Sequence, residues 1–241
     1  MDNLAKITKL IEENANSEVA KNLQRFFKTG PGQYGEGDIF VGLKNPQVRA
    51  IVKQFKNLDL PTIEKLLHSK IHEERLVALI IMVEQAKKAD KQHYKQLFDL
   101  YLKNTKYINN WDLVDLSSKD VVGGYSVDRP RDVLYKLAKS NNIWDRRIAI
   151  ISTAKFIGLG DFADTIAISK LLLDDKHDLI HKAVGWMLRE VGKRDTRVLH
   201  EFLDKHACDM PRTKLRYSIE RLSEDERKKY LAARGEKTTL K

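Results

Sequence analysis

At 241 residues the chain is long enough to bury a sizeable core, as one large domain or two small ones. Lys and Arg number 44 against 34 Asp and Glu, a formal charge of +10 that fits either a polyanionic partner or simple solubility. The single cysteine, Cys208, excludes an internal disulfide and any multi-cysteine metal site, and points to a reducing compartment: the cytoplasm, with nucleoid association in a bacterium.

In chain order, the first element is a helix carrying Leu4, Ile7, Leu10 and Ile11 at three- and four-residue spacing. Charges recur every few residues around it, with neither a hydrophobic signal region nor a small-residue cleavage site, so export is not expected. The stretch Gly30-Pro-Gly-Gln-Tyr-Gly-Glu-Gly-Asp38 holds four of the twelve glycines and reads as a loop between helices. It is a poor phosphate cradle, because no Gly-Lys-Ser/Thr follows it, no strand precedes it, and Glu36 and Asp38 would repel a phosphate. The longest mostly apolar run, Leu76 to Val83, is far below the roughly 20 residues that span a bilayer, so no membrane partner is expected. Helical periodicity returns at Val133, Leu134 and Leu137. Prolines stand at boundaries such as Asn45-Pro46, Leu60-Pro61, Arg129-Pro130 and Met210-Pro211, which suits first turns of helices. Apolar periodicity ends after Leu231, and a basic tail from about residue 232 is expected to fray. Alternating strand patterns and Asn-Gly hairpin signals are missing. The expected fold class is all-α.

A weak internal repeat orders these helices. Arg75-Leu-Val-Ala-Leu-Ile-Ile, Asp112-Leu-Val-Asp-Leu-Ser-Ser, Arg146-Arg-Ile-Ala-Ile-Ile-Ser and His181-Lys-Ala-Val-Gly-Trp-Met begin 37, 34 and 35 residues apart. Second helices are expected around Tyr94 to Leu102, Arg131 to Ala138, Ala163 to Leu172 and Arg197 to Leu203, so each unit is a helix pair. Stacked pairs predict an α-solenoid in a single domain over 1–241, whose concave face is the usual binding surface.

The informative positions are those that break the repeat. Ala78, Asp115, Ala149 and Val184 are equivalent, so one carboxylate stands where its siblings are small and apolar. Asp115 is either hydrogen-bonded within the structure or kept for chemistry at the inner surface. Trp111 lies one turn earlier on the same helical face. The third unit contains Trp144, Asp145, Arg146 and Arg147, and the fourth contains His181, Lys182, Trp186 and Arg189 at helical spacing. Indoles interleaved with Arg and Lys suit nucleic acid, since guanidinium groups hold phosphate and indole faces contact bases. Ordinary packing aromatics beside solvated charges have the same spacing, and for Trp144, next to Ile143 at a helix start, packing is the preferred reading.

Other chemistry has weak support. His177 and His181 have the spacing of a zinc pair, but Asp178 replaces the usual Glu and no third ligand is evident, so no metal is expected. His200, His206 and Cys208 read as a surface cluster. No nucleophile elbow, Walker motif or dinucleotide fingerprint occurs, so no nucleotide cofactor is expected.

Four segments carry a resemblance: Arg25-Phe-Phe-Lys-Thr-Gly-Pro-Gly-Gln-Tyr-Gly-Glu-Gly-Asp38, Asn110-Trp-Asp-Leu-Val-Asp115, Trp144-Asp-Arg-Arg-Ile-Ala-Ile150 and Ala183-Val-Gly-Trp-Met-Leu-Arg-Glu190. In these the chain resembles the AlkD family of DNA alkylation repair proteins, built from HEAT-like repeats, over most of its length. The resemblance implies a concave basic cleft for duplex DNA and a monofunctional glycosylase for N3-methyladenine and N7-methylguanine. It implies catalytic roles for Trp111, Asp115, Arg147 and Trp186, and no lysine nucleophile, hence no lyase step. Arg146, Lys182 and Arg189 would extend the DNA track. Phe26 stands where an active member carries Tyr, so a hydroxyl contact is expected to be lost there. The lesion would be met from the backbone side, without an enclosed pocket. The expected partner is therefore double-stranded DNA with alkylated bases, bound by a monomer without cofactor. The competing readings are a solenoid scaffold for a protein or acidic peptide, and a DNA-structure binder without chemistry.

Overall fold

The computed structural model describes residues 2–236, and among these there is no strand, only helices and one isolated parallel bridge pairing Ile39 with Ile71. The described residues fall into two compact units, one up to Tyr125 and one from Ser126 onward. No helix among them is long and apolar enough to cross a membrane.

The first unit contains α1 (Asn3–Glu13), α2 (Ser17–Phe26), α3 (Asn45–Phe55), α4 (Leu60–Leu67), α5 (His72–Ala86), α6 (Lys91–Lys103) and α7 (Trp111–Ser118), the last running into a π-helical turn over Lys119–Gly123. Their starts follow from local chemistry. The side chains of Asp2, Asn16, Asp59, Asp90 and Asn110 accept from otherwise unpaired N–H groups of the first turns. Pro46 and Pro61 occupy first turns of α3 and α4, where a missing N–H costs nothing. Helix α5 is the centre of this unit: α1, α3, α4, α6 and α7 all pack on it, and most of its residues are buried, with Ile80, Glu84 and Gln85 partly exposed. The run Leu76 to Val83 lies within this largely buried helix.

The second unit contains α8 (Asp132–Ala138), α9 (Ile143–Ser152), α10 (Ala154–Gly158), α11 (Ala163–Leu171), α12 (Asp178–Gly192), α13 (Thr196–His206), α14 (Arg212–Ser218) and α15 (Glu224–Glu236). Helix α12 is the hub, packing against α9, α11, α13 and α14. All four repeat segments lie in helices, α5, α7, α9 and α12, and the four expected second helices are α6, α8, α11 and α13. Helix α15 continues to Glu236, beyond the expected onset of fraying, and the rest of that tail lies outside the described residues.

Gly185 marks a close approach of two helices in the second unit. A Cβ there would stand 2.5 Å from Tyr217 Cβ and 2.6 Å from the Lys214 carbonyl oxygen, so the backbone of α14 lies directly on α12. Lys214 is itself fully buried, its Nζ donating to the carbonyls of Leu172 and Leu173 at 2.6 Å each and closing the end of α11. Gly185→Ala is expected to destabilise the protein by about 1–3 kcal/mol, because two packed helices must separate. Urea unfolding of the variant checks this, and an unchanged midpoint would contradict the close contact.

Candidate functional site

An open cleft of about 760 Å³ lies wholly within the first unit, walled by α2, α3, α5 and α7. Trp111 and Asp115, one turn apart on α7, both line it, and both are half-buried. Phe26, 62% exposed at the end of α2, lines the same cleft and meets the Trp111 indole edge-on with centroids 5.9 Å apart. Behind them the indole stacks on Phe27 at 5.2 Å and 25°. Leu23, Leu76, Ile80 and Val83 supply an apolar floor, while Lys44 and Arg49 bring positive charge from the start of α3. The cleft therefore offers an aromatic wall beside a carboxylate, a setting suited to a flat cationic group.

What holds α7 in this wall is a buried ionic chain that sequence reasoning missed. His72, 1% exposed at the first position of α5, places Nδ1 2.7 Å from Asp38 Oδ2 and Nε2 2.9 Å from Asp112 Oδ2. Arg75 closes the other side of Asp38 with Nη2 2.5 Å from Oδ1, and donates through Nη1 to the Ser69 carbonyl at 2.8 Å. The Asn110 amide reaches Asp38 Oδ2 at 3.5 Å, and its Oδ1 accepts the Trp111 N–H at 2.9 Å. Phe40 stacks on the imidazole at 4.2 Å and on Phe27 at 4.9 Å, so one run of rings connects His72 to Trp111. The neighbouring Glu73 accepts from the backbone N–H groups of Val41, Gly42 and Leu43, anchoring the loop that carries Asp38 and Phe40. Asp38, which the sequence reading counts only as a charge that would repel phosphate, is buried, and Arg75 and His72 compensate it.

Burial by itself would lower the His72 pKa, yet hydrogen bonds to Asp112 and Asp38, reinforced by their charges, raise it from 6.5 to about 9. For Asp38, burial raises the pKa, but the His72 and Arg75 contacts outweigh it and hold the carboxyl below its usual value. A raised histidine pKa stabilises the fold fully below 6.5, and this contribution is lost as the pH rises through about 9. Thermal unfolding of the wild type is therefore expected to move to lower temperature from pH 7 to pH 9.5, with a smaller change in His72→Gln. Parallel curves for the two proteins would show that His72 is not charged in the fold.

The second unit carries the remaining candidates on α9 and α12. Lys182, Trp186 and Arg189 follow one another at four and three residues along α12, on a single partly exposed stripe. Lys182 pairs with Asp178 at 2.8 Å, and Arg189 pairs with Glu220 and, at 3.8 Å, with Glu190. Arg146 is tied to Asp175 at 2.6 Å and to the carbonyls of Ser140 and Asn141. Arg147 is only 5% exposed, with Nη1 2.5 Å from the Leu179 carbonyl oxygen, so it clasps α9 to the first turn of α12. Trp144 is buried at the start of α9 as a packing residue. His177 caps α12 through Nδ1 on the Leu179 N–H, and His181 contacts the Asp175 carbonyl, which gives both structural tasks. Among the described residues no group of three metal-ligating side chains converges.

The family model described as DNA alkylation repair enzyme matches residues 7–222. Among solved structures, a chain described as a predicted DNA alkylation repair enzyme from Enterococcus faecalis superposes with a TM-score of 0.68 at 17% identity, covering 88% of this chain and 98% of that one. At that identity the superposition shows a shared fold. No curated protein sequence matches the chain.

Proposed function

The chain belongs to the DNA alkylation repair enzyme family, and on that premise we propose that it is a monofunctional DNA glycosylase acting on cationic alkylated purines in duplex DNA. The observation that carries this reading is the pairing of Trp111 and Asp115 one turn apart on the wall of an open, aromatic-lined cleft. Alkylation at N3 of adenine or N7 of guanine puts positive charge on the base, and an indole face attracts such a cation by about 0.5–2 kcal/mol.

The chemistry follows from the charge. As the bond from C1′ to the base breaks, its electron pair leaves with the base, neutralising it, so no acid is needed for departure. Positive charge develops instead on the deoxyribose, where a fixed carboxylate stabilises the oxocarbenium character and orients the attacking water. Asp115 is assigned that role. Water oxygen bonds to C1′ and its proton passes to bulk solvent, leaving an abasic sugar and a free neutral base, a balance that requires no metal, nucleotide or redox group.

In the second unit, Trp186 is proposed to contact the lesion. Arg147, anchored on the Leu179 carbonyl, is proposed to hold a phosphate from that fixed position, and Arg146, Lys182 and Arg189 to extend the basic track. Exchanging Asp178 for a DNA phosphate at Lys182 is a low-energy change, since exposed ion pairs contribute only about 0–1 kcal/mol. The helix pairs of period 35 are taken as HEAT-like repeats whose basic inner face receives the duplex. The test is release of free methylated purines from methylated duplex, followed chromatographically against a buffer blank. Release above the blank is expected. Retained DNA binding without release would favour a non-catalytic DNA-structure binder, and loss of both would favour a scaffold.

A further inference from the structure

We propose that His72 is the positioning residue of this site: by bridging Asp38 and Asp112 through both ring nitrogens, it locks the first turn of α7 so that Trp111 and Asp115 meet the substrate in fixed geometry. The inference rests on the glycosylase reading for its catalytic meaning and on the ionic chain for its physical basis.

The geometry is specific to a doubly donating imidazole. Asp38 and Asp112 lie on different segments, the loop after α2 and the start of α7, and His72 joins the two carboxylates at 2.7 and 2.9 Å, beside the longer contact of the Asn110 amide with Asp38 at 3.5 Å. Only the protonated ring has two N–H donors, so a neutral His72 must give up one of the two bonds. Releasing Asp112 frees the residue between Trp111 and Leu113, and Asp115 sits one turn further on the same helix. Tilting this turn moves both the indole and the carboxylate, and misplacement by about 1 Å is enough to cost catalysis about 100-fold.

The surroundings favour retention of the proton for this purpose. His72 opens α5, where the helix dipole disfavours a cation, so the two carboxylates are what keep it charged. The other charged groups near it are engaged elsewhere or lie across the cleft. Arg75 binds Asp38, Glu73 is turned to the amides of Val41 to Leu43, and Glu74 accepts from Thr8 of α1. Lys44 and Arg49 come from the α3 side of the cleft, and Glu64 of α4 pairs with Lys103. The Phe40 ring covers one imidazole face at 4.2 Å, which favours the cation further and keeps water away.

Two measurements test the lock. The first is single-turnover base release against pH for the wild type, Asp112→Asn and His72→Gln, with duplex affinity measured alongside on the same DNA. Asp112→Asn keeps an oxygen acceptor for Nε2–H but removes the charge, so its alkaline fall in rate is expected at lower pH than in the wild type. His72→Gln is expected to lose about 10- to 100-fold in rate, with no alkaline step and with affinity changed less than about threefold. Superimposable profiles for the wild type and Asp112→Asn, or rate losses matched by equal losses in affinity, would overturn the proposal. The second is an NMR titration of the His72 ring and the Trp111 indole N–H, which needs no catalysis. Shared midpoints that drop together in Asp112→Asn support the lock, and a Trp111 signal indifferent to His72 titration refutes it. If the wild type releases no base, the glycosylase reading fails while this titration still decides whether His72 governs Trp111.

Discussion

Asp115→Asn is expected to lower release of methylated purines by about 100- to 1000-fold while leaving affinity for methylated duplex within about threefold of wild type. Asparagine keeps the shape of the side chain and one acceptor oxygen, so the cleft and its indole are preserved. What it removes is negative charge opposite a sugar that becomes cationic only as the bond breaks. An interaction made mainly in the transition state lowers the rate constant rather than the affinity. Arg147→Ala provides the contrast, since losing the proposed phosphate contact is expected to weaken binding and release together. Because Arg147 also clasps the Leu179 carbonyl, its unfolding midpoint must be measured with its activity. Equal loss of binding in both variants would sink the role given to Asp115, and undiminished release by Asp115→Asn would move the chemistry to another group.

Asp38→Ala is expected to destabilise the protein by about 3–5 kcal/mol, the usual cost of removing one partner from a buried ionic cluster. Asp38 receives Arg75 at 2.5 Å and His72 at 2.7 Å, and the side chains of all three are at most 5% exposed. Without it, the guanidinium remains desolvated opposite no carboxylate, and His72 keeps only Asp112. The same cluster predicts partial rescue: Asp38→Ala combined with Arg75→Met is expected to be more stable than Asp38→Ala alone, because an apolar pair of similar volume removes the stranded charge. Chemical denaturation of the single and double variants measures both effects. A loss below about 1 kcal/mol for the single variant, within the range of an ordinary surface pair, would show that the cluster is solvated.

Much of the helical framework was legible in the chain, for reasons that stay local. Leu4, Ile7, Leu10 and Ile11 have the spacing of one helical face, and Ile7 and Ile11 are buried in α1. Pro46 and Pro61 marked helix starts because proline lacks the N–H that a first turn leaves unpaired. The repeat comparison singled out Asp115, since a carboxylate replacing Ala78 and Ala149 is visible by alignment alone; helical spacing put Trp111 on the same face, and the resemblance supplied Phe26. All three line one cleft.

The ionic chain behind that wall was not legible, although Asp38 and Asp112 both stood inside quoted motifs. Asp38, His72 and Asp112 are 34 and 40 residues apart, and no periodicity relates a loop, the first residue of one helix and the second residue of another. The same holds for Gly185, whose need for a missing side chain comes from the α14 backbone lying against it. By itself the sequence determined where the chain is helical, where helices begin, and which carboxylate departs from its repeat, because these depend on neighbours within a turn or on an internal comparison. Only the tertiary structure decided that Asp38 is buried rather than exposed, that Arg147 is anchored on a carbonyl, and that His72 links two carboxylates behind Trp111. Those outcomes depend on which distant groups share a desolvated space, where an unpaired charge is costly and a paired one holds an element in place.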